Sequence, residues 1–383
     1  MDASHPTSGG SDEQTHILTH GPTVSVRSER KIIEVFRANR RRSAMNHTAV
    51  GVDIAKSVFQ VHWVDPHTGE VIKKAVRRDR FLDYFANREP CLIGMEACGG
   101  AQHWARQFTK MGHQVKLMPP KFVKAFNIGN KNDPADARAI WMATQIPSKP
   151  VAVKTETQQA VLALHRMRQQ LVKFRTMQIN SLRGLLAEYG EVMGKSREAL
   201  DKAIPGILAK LSDRLPTMLI DTMREQWSGL TGLDRQIAGI EQRLQAWMKD
   251  DVACQAIAAI PGVGLLSATA AVVTMGDAKA FRSGREFAAW LGLVPKQTGS
   301  GGKVQLLGIS KRGDTYVRTL LIHGARSVLR HPDKAGAWVE QLGKRRPFNV
   351  VIVALANKIA RTIWALLAHD RQYGREYTSS KPL

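Results

Sequence analysis

Ala49-Val-Gly-Val-Asp-Ile54 is a short apolar run with a carboxylate set inside it. Two more runs follow closely, Val58 to Val64 and Val71 to Val76, and Asp65-Pro-His-Thr-Gly69 forms a turn between them. Three strands meandering as hairpins is the simplest reading. A helical stretch, Phe81 to Ala86, comes next, and then the apolar runs Leu92 to Met95 and Val115 to Met118 flank a helix-like Ala101 to Met111. Alternation of this kind favours parallel pairing for the later strands. Pro119-Pro120 closes the fifth run, and Asp133 to Thr144 reads as a helix ending at Ile146-Pro147. Residues 45–149 are therefore expected to form one α/β domain.

Residues 150–250 are nearly all helix-forming. Leu230, Leu233, Ile237, Ile240, Leu244 and Trp247 alternate spacings of three and four, which is a heptad seam. A less regular stripe, Leu164, Met167, Leu171, Phe174, Ile179, Leu182 and Leu186, precedes it across Pro205 and Pro216. An intramolecular antiparallel hairpin and a dimerising coiled coil fit these stripes equally well. Residues 251–383 read as a compact, mostly α-helical domain with Gly-rich punctuation around Gly299 to Gly302 and a strong final helix from Val350 to Leu367. Residues 1–44, rich in Ser, Thr, His and Gly and ending in Arg40-Arg-Arg42, read as a disordered basic extension upstream of Met45, or as an arm that touches DNA.

Charge narrows the partner. The chain of 383 residues carries 56 Lys and Arg against 33 Asp and Glu, a net charge of +23, which suits a polyanion such as nucleic acid. No run of 18 or more apolar residues is present and the N-terminal stretch lacks an apolar core, so neither a membrane partner nor secretion is expected, and the chain is expected to stay in the cytoplasm. Cys91, Cys98 and Cys254 are odd in number and show no C-x-x-C spacing, which leaves out a disulfide framework and a structural zinc site. The histidines, His323 among them, show no ligand spacing.

Four carboxylates stand out. Asp53 lies in an apolar strand, where an ionised group is costly unless a cation holds it. Glu96 ends the run Leu92-Ile-Gly-Met95 just before Ala-Cys-Gly-Gly, and Asp133 and Asp136 share a helix face at i, i+3. Brought together they would repel one another unless divalent ions neutralised them, and Mg²⁺, two per site, suits an all-oxygen set. Such a pair stabilises the attacking and leaving oxygens of an in-line phosphoryl displacement. Taken singly, each acid has a plainer role: Asp133 and Asp136 favour a helix N-terminus, and Glu96 caps the next helix.

Gly51-Val-Asp-Ile-Ala-Lys56, Met95-Glu-Ala-Cys-Gly-Gly100 and Asn130-Lys-Asn-Asp-Pro-Ala-Asp-Ala-Arg138 together resemble the DEDD transposases of the IS110 insertion sequences, in the subgroup with subterminal inverted repeats. Ile260-Pro-Gly-Val-Gly264, Gly292-Leu-Val-Pro295, Gly299-Ser-Gly-Gly-Lys303 and Gly308-Ile-Ser-Lys-Arg-Gly313 extend the resemblance to about residue 370. It implies a RuvC-like domain of the ribonuclease H fold over 45–149, a helical coiled-coil linker over 150–250 and a C-terminal transposase domain over 251–383. It carries the family's metal-binding acids onto Asp53, Glu96, Asp133 and Asp136, and its serine nucleophile onto Ser300.

On sequence alone Ser300 reads better as a solvated turn residue; the resemblance reverses that order. It also implies donor and target DNA as substrates, a noncoding guide RNA that pairs with both, and a dimer or tetramer in which the acids of one subunit meet Ser300 of another. Eleven Lys and Arg against three acids between Lys296 and Arg346 mark the expected nucleic-acid surface, with Lys303, Lys311, Arg312 and Arg318 as phosphate contacts. Gly262 and Gly264, in a helix-hairpin-helix-like turn, would offer backbone N–H groups. A junction-resolving nuclease that hydrolyses with water and a non-catalytic nucleic-acid-binding protein are the alternatives.

Overall fold

The computed structural model describes residues 48–127, 133–331 and 336–374. The extension at 1–44 and the side chain of Asp133 lie outside the described residues. The chain parts into two compact units, 1–151 and 152–383.

In the first unit five strands form a mixed sheet in the order β3-β2-β1-β4-β5, with β1 Ala49–Asp53, β2 Val58–Val64, β3 Val71–Arg77, β4 Leu92–Glu96 and β5 Gln114–Met118. The first three pair antiparallel as hairpins; β1, β4 and β5 pair parallel, as the alternating pattern predicts. One face carries Val50, Val52, Phe59 and Val61 against α1 (Phe81–Ala86) and α2 (Ala101–Lys110), whose Phe81, Phe85, Trp104 and Phe108 fill the core. Burying each such side chain contributes roughly 1.5–3 kcal/mol.

The other face is covered differently. After the short α3 (Pro120–Lys124), α4 (Asp133–Gln145) lies chiefly over β1, with β2 and β4 beside it. Gly51 and Gly94, opposite each other in the β1–β4 register, make this possible. A Cβ on Gly51 would stand 2.4 Å from the Trp141 backbone N, and one on Gly94 would stand 1.7 Å from Thr144 Oγ1. Lys116, in register with Gly94, donates from Nζ to the carbonyls of Thr144 at 2.9 Å and Ile146 at 2.6 Å, tying down the end of the helix.

In the second unit α5 (Glu156–Glu188) and α7 (Thr217–Asp250) form a long hairpin with α6 (Arg197–Ser212) between them in sequence. The seam packs within the chain: Leu230 and Leu233 share a core cluster with Leu182, Leu186 and Leu208, while Ile240, Leu244 and Trp247 share one with Val161, Leu164 and Leu171. Of the two readings the stripes allowed, this arrangement is the intramolecular hairpin. Arg168–Glu241 and Arg175–Asp234, each at 2.6 Å, bridge the two helices.

Among the described residues the remaining α-helices are α8 (Val252–Ala258), α9 (Leu265–Met275), α10 (Gly284–Trp290), α11 (Thr315–Leu329), α12 (Ala337–Gly343) and α13 (Phe348–Ala368). The last is long and apolar enough to cross a membrane by length and composition, yet Val351, Ile352, Leu355, Ile359 and Ile363 are buried in the core of this unit. Within this mostly helical domain, β6 (Pro295–Thr298) and β7 (Gln305–Ile309) form an antiparallel hairpin. Gly301-Gly302 between two extended runs was the signal for it.

His165 joins three helices of this unit. Thr269 Oγ1 donates to the Leu265 carbonyl at 2.7 Å, so it accepts from His165 Nε2 at 3.0 Å; Nδ1 then accepts from the Tyr316 hydroxyl at 2.9 Å. Burial holds the imidazole neutral, with its pKa lowered to about 4, and nearby Arg168 adds to the shift. The unfolded chain binds the extra proton between the two pKa values, so stability falls as pH drops from about 6.5 to about 4, by roughly 3 kcal/mol for this residue. Melting curves across that range should show the loss, and His165→Gln should reduce it, leaving the share of His62, whose pKa burial also lowers to about 4. Gly51→Ala must push the backbone of α4 off the sheet and should lower stability by about 1–3 kcal/mol in denaturant titrations.

Candidate active site

Side-chain alternation along the strands sets where the acids go. Asp53 is the last residue of β1 and Glu96 the last of β4, each two residues beyond the glycine over which α4 lies, so both acids stand on the α4 face. Their strands are hydrogen-bonded neighbours in parallel register up to Val52 and Met95, one residue short of the acids. Both are half-buried. Burial pushes the Cys98 thiol pKa above its usual range, and the charges of Glu96 and Asp53 push it further. The backbone folds Cys98 back, its N–H donating to the Glu96 carbonyl at 2.8 Å.

Asp136 lies in the first turns of α4, just before Ala137, whose carbonyl is one of the atoms nearest a Cβ on Gly51. Asn127 Nδ2 donates to Asp136 Oδ1, and Asn127 Oδ1 is a buried acceptor with no hydrogen-bond partner among the described residues. Sequence reasoning passed over Asn127, which has no motif around it. Asp53 and Glu96 are thus brought together, and Asp136 is held on the helix that covers the same sheet face. Among the described residues no three His, Cys, Asp or Glu side chains gather into one ligand group. Carboxylates at adjacent strand ends and an orphaned amide oxygen beside Asp136 nevertheless form an all-oxygen donor chemistry that fits a hard divalent cation.

Ser300 lies at the tip of the β6–β7 hairpin, exposed to solvent. Lys303 N–H donates to the Ser300 carbonyl at 3.2 Å across Gly301 and Gly302, whose φ values of 57° and 79° are those a tight primed turn needs. A Cβ on Gly299 would stand 1.9 Å from the Lys303 carbonyl oxygen, so the neck of the turn also requires glycine. The serine is presented on a narrow tip with the Lys303 side chain exposed beside it.

The basic residues divide. Lys311 and Arg312 are exposed, and the segment that carries them is clamped: Lys311 N–H donates to the Gly292 carbonyl at 3.1 Å and Lys311 sits at φ 52°, a strained backbone for a side-chain-bearing residue. Arg318, expected as a phosphate contact, is 7% exposed and turned inward. Its guanidinium donates to the carbonyls of Leu291 and Arg312, each at 2.8 Å, and to Thr315 Oγ1 at 3.0 Å. A planar five-donor group suits several inward carbonyls, so Arg318 holds the loop that displays Lys311 and Arg312 and is not itself displayed.

Gly262 answers to packing as well. Ile260-Pro-Gly-Val263 closes a turn with Gly262 at φ 86°, and a Cβ there would stand 2.8 Å from the Gly324 carbonyl oxygen of α11. Gly264 stands exposed at the N-terminus of α9.

Comparison with known proteins places this arrangement. Residues 50–191 match the family model described as the transposase DEDD_Tnp_IS110, and residues 254–340 match the one described as transposase IS116/IS110/IS902 family. A probable family 20 transposase of Pseudomonas aeruginosa is 45% identical over 335 residues, covering 86% of this chain and 99% of the relative. The transposase for insertion sequence element IS1111A of Coxiella burnetii is 42% identical over 346 residues, covering 89% and 95%. A more distant relative, the pilin gene-inverting protein of Moraxella lacunata, is 24% identical over 358 residues, covering 86% and 99%. With a five-stranded mixed sheet followed by helices, as a RuvC-like α/β domain and a helical remainder require, and with relatives matched along most of their length, the chain belongs to the IS110 family of insertion-sequence transposases.

Proposed function

We propose that this transposase moves its element by cutting DNA through Ser300 and rejoining the strands from a covalent phosphoserine intermediate. The observation that carries the reading is Ser300 itself, exposed at the tip of a glycine turn with Lys303 beside it. The Ser300 Oγ attacks a backbone phosphorus, the phosphorus–oxygen bond to one deoxyribose breaks, and that sugar leaves as a free hydroxyl while the phosphate stays on serine. Attack by a sugar hydroxyl from a second DNA end reverses the step and restores the serine. No phosphodiester energy is lost to water, which suits an exchange of strands. The name of the pilin gene-inverting relative agrees with this, because inverting a gene requires rejoining as well as cutting.

Asp53, Glu96, Asp133 and Asp136 would hold the divalent metal, Mg²⁺ as a pair by the chemistry of the donor set. When bound, it supplies positive charge at the phosphate as the oxygens exchange. The chain's own residues do the rest. Lys303, Lys311 and Arg312 hold backbone phosphates, and Arg318 keeps their loop in place from within. The domain roles follow as 45–149 for the acids, 150–250 for assembly and 251–383 for the serine. A net charge of +23 suits nucleic-acid partners, and the family resemblance implies among them a guide RNA that pairs with donor and target DNA. The acids of one subunit would meet Ser300 of another in a dimer or tetramer.

The test incubates the protein with its element's RNA, its end DNA and Mg²⁺, and looks for protein covalently attached to DNA. Ser300→Ala should abolish attachment and lower strand exchange on the order of a thousandfold or more, and Asp53→Ala should abolish both. Cleavage that survives Ser300→Ala would make the protein a hydrolytic nuclease. Indifference to Asp53→Ala together with absence of cleavage would leave only a binder.

A further inference from the structure

We infer that Asn127 is a positioning residue for the acidic site: its carboxamide grips one oxygen of Asp136 and leaves the other free for a divalent cation. The inference rests on the proposed reading of Asp136 as a metal ligand. Nothing in Lys121-Phe-Val-Lys-Ala-Phe-Asn127 marks the last residue as functional. What delivers it is packing. Phe122 and Phe126, one turn apart, meet edge to face at 5.4 Å and pack on Met118, Val123, Ile140 and Ala143, so the segment that includes α3 is docked on α4. Phe126 N–H to Val123 O at 2.9 Å and Asn127 N–H to Lys124 O at 3.3 Å continue the turn beyond the helix and bring Asn127 to Asp136.

The amide can face Asp136 in only one sense. With Nδ2 toward the carboxylate a donor meets an acceptor; turned over, Oδ1 would face Oδ1, two acceptors with no proton between them. Nδ2 therefore stays on Asp136, and Oδ1 is held in a buried position where it accepts nothing from the described residues. Buried acceptors are nearly always matched, and one left over beside a carboxylate is an oxygen suited to a hard cation or to water bound with it. A residue that served only to hold α3 against α4 would gain nothing from that arrangement, since Phe122 and Phe126 already supply the contact. Groups that orient a metal-binding carboxylate act on affinity through its direction and basicity, without touching the fold.

The readout is Mn²⁺ affinity of the full-length protein, measured from the electron paramagnetic resonance signal of free Mn²⁺ during titration, with the melting temperature recorded alongside. Asn127→Leu should weaken Mn²⁺ binding about tenfold to a hundredfold with little change in melting temperature. Asn127→Ser, which keeps a short donor, should recover part of that loss. Asp136→Ala should weaken binding at least as much as Asn127→Leu. Wild-type affinity in Asn127→Leu, with affinity lost in Asp136→Ala, overturns the role of Asn127 and leaves the metal reading intact. Wild-type affinity in Asp136→Ala overturns the ligand reading of Asp136, and the role of Asn127 with it. Equal loss in the Leu and Ser variants also overturns the proposal, because the donor would then not be the cause.

Discussion

Two missing Cβ atoms govern the acidic face. Gly51 and Gly94 sit opposite each other on neighbouring parallel strands, and the backbone of α4 lies against the first while the Thr144 side chain lies against the second. Any side chain at either position would lift the helix. Because alternate residues share a face, the same two strands deliver Asp53 and Glu96 to the side that α4 covers, and α4 carries Asp136. The close approach that packs the domain therefore also lays α4, with Asp136 on it, over the sheet face that carries Asp53 and Glu96. Lys116 completes it from β5 by holding the carbonyls at the far end of the helix.

The second unit follows the same logic with polar groups in place of glycine. His165, kept neutral by burial, spans Thr269 and Tyr316 and so ties the long helical hairpin to α9 and α11. Arg318 spans Leu291, Arg312 and Thr315 and ties α11 to the loop in front of it. Both are buried polar groups with their bonding capacity directed at neighbouring elements, which is how such groups survive in a core. The outcome is a fixed frame behind Lys311 and Arg312, whose own side chains face solvent. A basic residue's type thus says little about whether it meets a phosphate; Arg318 and Arg312 differ in direction, and direction comes from packing.

Much of this was legible beforehand. Periodicity placed the five strands of the sheet and the helices between them within a residue or two of their observed bounds, because a half-buried strand and an amphipathic helix impose different repeats on the sequence. The heptad seam marked a helix that buries one stripe, although it could not say whether the stripe meets this chain or another; the contacts of Leu230 and Leu244 with α5 give the intramolecular answer. The β6–β7 hairpin shows in the sequence only through Gly301-Gly302 at its turn, because Pro295-Lys-Gln-Thr298 has no apolar alternation to mark a strand.

What the sequence determined by itself was most of the elements and the family motifs, which depend on residue type and local spacing, and it nominated four acids and, through the resemblance, a serine. Only the tertiary structure decided which of those residues meet. The register between β1 and β4 brings Asp53 beside Glu96, the docking of Phe122 and Phe126 brings Asn127 to Asp136, and the inward turn of Arg318 withdraws it from the surface. Each depends on contacts between segments far apart or differently oriented in the chain. Local propensity cannot encode such contacts, because the energy that selects them is released only when the elements pack.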